Sequence, residues 1–343
     1  MTRRSIPVAI LLWACCLVLP NLCAAGGRAG WPGPPSFGSR TIFEACWSAR
    51  ELDAPARDGS DIGQGRDTSP PERTSPRFAR PALPADMRGV IRRVRLPGQV
   101  KLAALTFDMC QADRVLGYDA PIVNYLRTHR IPATFFMGGR WMRSHAERTM
   151  QIMADPLFEI GNHGWAHRNF RLIDERRMRE EAVWVQAQYE LIREKLLARP
   201  EVRAAGLDEA LKIPASPAVF RFPYGTCDDR ALNLLAELGL PAIQWNIVSA
   251  DADRKRTAPR IAAPILSGFQ PGSIVIFHAN GRNPATAAAL PLLVPRLTAQ
   301  GYRFVTVSRL LEAGPALVVP ECYELQPGDN LKYDHPPKVK SGP

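Results

Sequence analysis

Seven short apolar runs recur between residues 102 and 307, and they constrain the fold more than any other feature of the chain. Leu102 to Phe107, Ala133 to Met137, Leu157 to Ile160, Val219 to Phe222, Ala242 to Ile247, Ser273 to Phe277 and Arg303 to Val307 are each four to six residues long and rich in β-branched or aromatic side chains. Runs of that kind read as strands buried on both faces. Helical patterns lie between them. The longest places Met178, Ala182, Val185, Tyr189, Ile192 and Leu196 at spacings of 4, 3, 4, 3 and 4, the apolar stripe of an amphipathic helix. Another, from Asp119 to Leu126, starts on a residue suited to an N-cap. Alternating strand and helix predicts an α/β fold with parallel strands and helices packed outside. Seven such units suit a closed or nearly closed barrel, with an open doubly wound sheet as the alternative. The chain has no G-x-G-x-x-G and no P-loop, which disfavours nucleotide binding.

Polar residues with chemical potential cluster just beyond the C-terminal ends of these runs. Asp108 follows the first, His163 the third, Arg221 and Tyr224 bracket the end of the fourth, Asp251 lies beyond the fifth and His278 ends the sixth. In a parallel barrel those ends converge on one face. Singly, each has an ordinary explanation as a turn residue, a core histidine or a surface charge. Their joint placement on one rim is what points to a site. His163 and His167 add a second signal, because the chain has only six histidines and these two stand at i and i+4. On a helix or helical turn that spacing puts two imidazoles on one face, within reach of one divalent metal.

The ends of the chain have a different composition. Arg3 and Arg4, the apolar stretch Ile6 to Leu19 and the small residues near Ala25 read as a secretory signal peptide over residues 1–25, with an uncleaved membrane anchor as the alternative. Residues 26–87 are rich in Gly, Pro, Arg and Ser and read as a largely disordered arm. An amphipathic island at residues 42–52, with Cys46 and Trp47, is suited to docking on the core. The stretch from Gln326 to Pro343 is polar and reads as loose. The formal net charge of +11 falls by two once Arg3 and Arg4 are removed, and the remaining excess favours transient association with an anionic envelope surface. The arginines are dispersed and no recognition helix stands out, so nucleic acid is not an expected partner. Export would leave Cys46, Cys110, Cys227 and Cys322, which allow two disulfides in three pairings or stay as thiols.

Five motifs in order then resemble one family. Thr106-Phe107-Asp108 matches the start of a T-F-D-D-G motif, and His163 and His167 match H-x-x-x-H. Arg221-Phe222-Pro223-Tyr224-Gly225 matches R-x-P-Y-G, Trp245-Asn246 with Asp251 resembles a fourth motif, and Ile276-Phe277-His278 matches a final L-x-H. Together with Ala133-Thr134-Phe135-Phe136 these resemble the polysaccharide deacetylases of the NodB-homology type, carbohydrate esterase family 4. The resemblance implies a distorted (β/α)7 barrel over residues 88–314, followed by a tail at 315–343. It implies hydrolysis of acetyl groups from an N- or O-acetylated glycan. Asp108 would be the general base, Arg221 its partner, His278 the general acid and Asp251 its orienting group. The backbone N–H of Tyr224 would face the oxyanion, and Trp245, Ile276 and Phe277 would line a pocket for the acetyl methyl.

The resemblance also implies a divalent metal, zinc by expectation, on His163 and His167. Here the sequence departs from the family, because Met109 stands where a second aspartate is a metal ligand. A neutral thioether is a poor zinc ligand. Asp108, Asp113 and Asp119 are the nearby oxygens that sequence offers instead. Contact between Asp108 and Arg221, which the family's chemistry requires, implies a Cys110–Cys227 disulfide and leaves Cys46 to pair with Cys322. Two further readings remain at this level, a non-catalytic glycan-binding protein on the same barrel and a metal-independent hydrolase of a small amide.

Overall fold

The computed structural model describes residues 37–53, 58–111 and 117–335. The expected signal peptide and Asp113 lie outside the described residues. The described residues form nine strands: β1 (Val90–Val94), β2 (Leu102–Met109), β3 (Ala133–Met137), β4 (Phe158–Asn162), β5 (Ala242–Ile243), β6 (Ile247–Val248), β7 (Ile274–His278), β8 (Arg303–Phe304) and β9 (Ala316–Val319). Strands β4, β3, β2, β7 and β6 are parallel neighbours in that order. Parallel bridges from Asn162 to Phe220 and from Phe220 to Ala242 carry the order on from β4 to β5. Residues 242–248 then change neighbours within one short stretch. Gln244 N–H donates to Ile91 of β1 at 2.8 Å, and Asn246 N–H donates to Ile274 of β7 at 3.2 Å. The parallel strands therefore run round in a distorted ring, and β8 pairs only with the start of β2.

The run Val219 to Phe222 forms a one-residue bridge rather than a ladder. Pro217 and Pro223 flank it, and proline cannot donate to a ladder. The chain still bonds on both sides there, since Arg221 N–H donates to Asn162 O at 2.8 Å and Phe220 N–H donates to Pro241 O at 3.0 Å. Outside the ring, the helix Glu175–Leu197 buries all six residues of its predicted stripe, and Asp174 caps it by accepting from Arg177 N–H. Asp119 takes the N-cap position of the helix Ala120–Thr128. Its side chain makes no capping bond, and Oδ2 accepts from Gly281 N–H at 2.7 Å instead.

The arm expected to be disordered is ordered over much of its length. Ser39 caps the helix Arg40–Cys46, and Ile42 and Trp47 are buried in the main core, as the amphipathic island predicted. Farther along, Arg73 pairs with Glu190 and Glu194 at 2.9 Å each, while Leu83 and Met87 are buried in a second apolar cluster. The arm has no core of its own. It borrows one by laying isolated apolar anchors and ion pairs along the barrel.

The tail needs a similar correction. β9 pairs antiparallel with β1, and residues up to 335 pack over the rim. Asn330 donates to Gly225 O and Cys322 O at 2.6 and 2.9 Å, and Arg171 pairs with Asp334 at 2.9 Å. A disulfide joins Cys227 to Cys322 with Cα atoms 5.5 Å apart. The pairings Cys110–Cys227 and Cys46–Cys322 are therefore both wrong. The segment after β9 returns to the rim beside Cys227, whereas Cys46 is buried in the main core cluster and Cys110 faces the cleft described below. Closing a loop of 95 residues restricts the unfolded chain, so Cys322→Ser is expected to destabilise the fold by roughly 2–4 kcal/mol. Denaturant unfolding of the oxidised protein and the variant measures this difference.

Candidate active site

Asp108 and His278 are register partners across the adjacent strands β2 and β7. Neighbouring strands lie about 4.8 Å apart, so the two side chains open side by side into one cleft of about 450 Å³. Each is held by its own partner.

Arg221 is fully buried, and its Nη1 donates to Asp108 Oδ1 at 2.8 Å. Its remaining donors reach Ile243 O and Gln244 O at 3.2 Å each, and the guanidinium lies over the Phe136 ring at 4.0 Å. Burial pushes the Asp108 carboxyl up, but the positive field of Arg221, with smaller contributions from His163 and His278, overrides it and holds the carboxyl below its usual value. Asp108 is thus an ionised, oriented carboxylate.

Asp251, also buried, accepts four hydrogen bonds. His278 gives two, from its backbone N–H and from Nδ1, both at 2.8 Å. Ser249 and Thr286 hydroxyls give the others at 2.9 Å each. An ionised carboxylate only accepts, so Nδ1 of His278 carries the proton in that bond and Nε2 is left for the cleft. Burial would lower the His278 pKa, yet the Asp251 charge and hydrogen bond outweigh it and raise the value above the ordinary histidine range. The shift is towards the imidazolium, the form that can donate a proton.

His163 is buried, and its Nδ1 lies 2.9 Å from Arg221 O. A carbonyl only accepts, so Nδ1 is the protonated nitrogen. Nε2 then faces Asp108 Oδ2 at 3.5 Å. Burial holds both His163 and His167 towards the neutral form, His167 well below the ordinary range. The Nε2 lone pair of His163 is therefore open to a cation, and the ionised Asp108 beside it adds a negative potential that favours one. His167 stands beside, with ring centroids 5.1 Å apart. The donor set is suited to a divalent metal, and the Arg221 carbonyl fixes the His163 tautomer in the manner usual for metal-bound histidine.

Tyr224 adopts φ 59°, the left-handed region, within the turn Pro223–Gly225. Such a conformation costs an ordinary residue about 1–2 kcal/mol and persists because neighbouring structure imposes it. Its ring packs on His167 at 4.5 Å and on Tyr333 at 5.4 Å. Trp245 and Ile276 line the cleft, but Phe277 does not. It is buried in the main core, stacked on Phe107 at 5.2 Å. Successive residues of a strand face opposite sides, so Ile276 and His278 share the cleft side and Phe277 faces away.

Cleft residues beyond those given a site role from the sequence include Glu324 and Tyr333, and Cys110, expected there as a disulfide partner, also lines the cleft. Cys110 reaches the two histidines instead of a second cysteine. Glu324 and Tyr333 come from the tail and close one wall of the cleft, linked by a hydrogen bond from the Tyr333 hydroxyl to Glu324 Oε1 at 2.6 Å. Among signals in the sequence, only the alternation of β2 could have placed Cys110 with Asp108.

Residues 96–243 match the family model for polysaccharide deacetylases. The bifunctional xylanase/deacetylase of Pseudobutyrivibrio xylanivorans is 26% identical over 212 residues, which cover 62% of this chain and 31% of that protein. The peptidoglycan-N-acetylglucosamine deacetylase PgdA of Listeria monocytogenes is 26% identical over 237 residues, 66% of this chain and 44% of that one. The chain thus spans less than half the length of these two relatives. Among solved structures, a mutant of the Bacillus anthracis protein BA3943, described as a CE4 family pseudoenzyme with restored enzymatic activity, matches with a TM-score of 0.54 and 22% identity over 66% of this chain and 72% of the other. At that identity the likeness is one of fold.

Proposed function

We propose that this chain, whose residues 96–243 are a polysaccharide deacetylase domain of carbohydrate esterase family 4, hydrolyses acetyl groups from an N- or O-acetylated glycan of the cell envelope or exterior. The observation that carries the reading is the side-by-side placement of two differently tuned groups, an ionised Asp108 held by Arg221 and a proton-rich His278 held by Asp251. Groups whose environments push their proton affinities apart are suited to the base and acid of one reaction.

In this mechanism Asp108 takes a proton from a water in the cleft as that water attacks the acetyl carbonyl. The backbone N–H of Tyr224, presented by its left-handed turn, faces the developing oxyanion. His278 gives its Nε2 proton to the leaving nitrogen or oxygen, and Asp251 stabilises the imidazolium and fixes its orientation. Trp245 and Ile276 offer an apolar wall to the acetyl methyl. A divalent metal held by His163 and His167 would supply polarisation of the carbonyl and of the attacking water.

Export to the periplasm or exterior belongs to this reading. It is supported by the positive, apolar and small-residue order of residues 1–25 and by the Cys227–Cys322 disulfide, which suits an oxidising compartment. No helix among the described residues is long and apolar enough to cross a membrane. The basic surface would favour transient contact with an anionic envelope.

Met109 is the observation that favours a glycan binder without turnover. Retention of both acid–base units weighs against it, because binding alone needs neither. The test is acetate release from acetylated chitooligosaccharide, peptidoglycan fragments and acetylated xylan, with and without a chelator. Acetate release that a chelator suppresses and added metal restores is expected. Release that is indifferent to the chelator removes the metal from the mechanism, and binding of the same glycans with no acetate release overturns the hydrolase.

A further inference from the structure

We propose that the Sγ of Cys110 is the third metal donor in the cleft, joining His163 and His167 in place of the carboxylate that position 109 lacks. The proposal deepens the reading above and rests on it for the purpose the metal serves, although the donor geometry stands by itself. One ligand atom from each of Cys110, His163 and His167 lies within 4.8 Å of the other two. No other cluster of this kind occurs among the described residues.

The strand explains why position 110 and not 109 reaches the histidines. Met109 is fully buried in the main core and stands in register with Met137 on β3. Side chains two apart on a strand share a side, so Cys110 follows Asp108 towards the cleft, where both line the wall. The disulfide leaves it there, since Cys227 is bonded to Cys322. Asn280 fixes the backbone at this point, its Nδ2 donating to Cys110 O at 2.8 Å and lying 3.7 Å from Sγ.

The three atoms lie close enough together for one ion to be shared among them. Zinc–nitrogen and zinc–sulfur bonds of about 2.0–2.3 Å place tetrahedral donors roughly 3.3–3.7 Å from one another. Three protein donors and an open position are the pattern of a catalytic zinc site. On binding, the Cys110 S–H bond breaks, a sulfur–metal bond forms and the proton leaves to solvent. A thiolate with two imidazoles prefers a borderline or soft ion and discriminates against Mg²⁺, Ca²⁺ and Mn²⁺, which favour oxygen. The exchange of carboxylate for thiolate would thus narrow the range of ions the cleft accepts.

The test uses the full chain loaded with Co²⁺ alone and read by absorbance. A thiolate-to-cobalt charge-transfer band in the near ultraviolet is expected in the wild type and in Cys46→Ser, and is expected to vanish in Cys110→Ser. Zn²⁺ affinity should fall in Cys110→Ser by on the order of 10–100-fold or more. A second measurement needs no variant: Zn²⁺ should slow alkylation of Cys110 in the wild type about tenfold or more, with Cys110 followed by peptide mapping. Bound Co²⁺ without the band, or unchanged Zn²⁺ affinity in a folded Cys110→Ser, overturns the thiolate. If acetate release persists in that case, deacetylation still stands. The band with no acetate release from any of the three glycans supports the thiolate and overturns the deacetylase reading alone.

Discussion

Asp108→Asn is expected to lower acetate release by on the order of 10²-fold or more, with the loss in kcat rather than in KM. The asparagine keeps the shape and can still accept from Arg221, so glycan binding should survive. What it loses is the charge that takes the proton from water. That step precedes bond cleavage whatever the leaving group, so an amide and an activated aryl acetate should lose activity together. The substitution also strips the buried Arg221 of its countercharge, and breaking a buried pair costs about 3–5 kcal/mol of stability. Circular dichroism and the melting temperature therefore accompany the kinetics. Near-normal turnover in a folded Asp108→Asn would remove Asp108 from the role of base.

The sequence made Asp108 and His278 legible as neighbours in one cleft because each stands at the end of an apolar run, and a parallel barrel gathers such ends. β3 occupies the residues read from the pattern, 133–137, since a strand buried on both faces shows itself as one unbroken apolar run. The pattern failed where a second rule intervened. Prolines shortened the strand at Phe220, and the Thr306 cap turned Val307 into the start of a helix. Phe277 was misplaced because a motif names residues in order, whereas alternation decides which of them face the cleft. The cysteines were misread for a different reason. Disulfide pairing depends on where the tail returns: the short apolar run of β9 was passed over as tail, and the polar composition beyond Gln326 hid the contacts of Asn330 and Asp334. Composition reports whether a segment can build its own core, not whether it can lie on another. The same blindness concealed Tyr333 and Glu324, which line the cleft on a tail held by the Cys227–Cys322 disulfide and by the contacts of Asn330 and Asp334.

His278→Ala should lower release of acetate from an N-acetyl glycan by on the order of 10²–10⁴-fold. An amine cannot leave as its anion, so loss of the proton donor strikes the amide hardest. An aryl acetate leaves readily without a proton and should retain far more of its rate, a contrast that a merely structural role for His278 would not produce. The pH profile gives a second, independent readout. The acid works while Nε2 holds its proton, and Asp251 raises the pKa of that ring, so activity should fall as pH rises through the raised value. Asp251→Asn removes the charge that raises it. The His278 pKa then drops, the proton is lost at lower pH, and the alkaline limb of kcat should move to lower pH. Ser249 and Thr286 keep their hydroxyls for the amide to bond, so the loop has partners that help hold it in place. An alkaline limb that stays where it was in a folded Asp251→Asn, or equal losses on amide and aryl ester in His278→Ala, would assign the leaving-group proton to another residue.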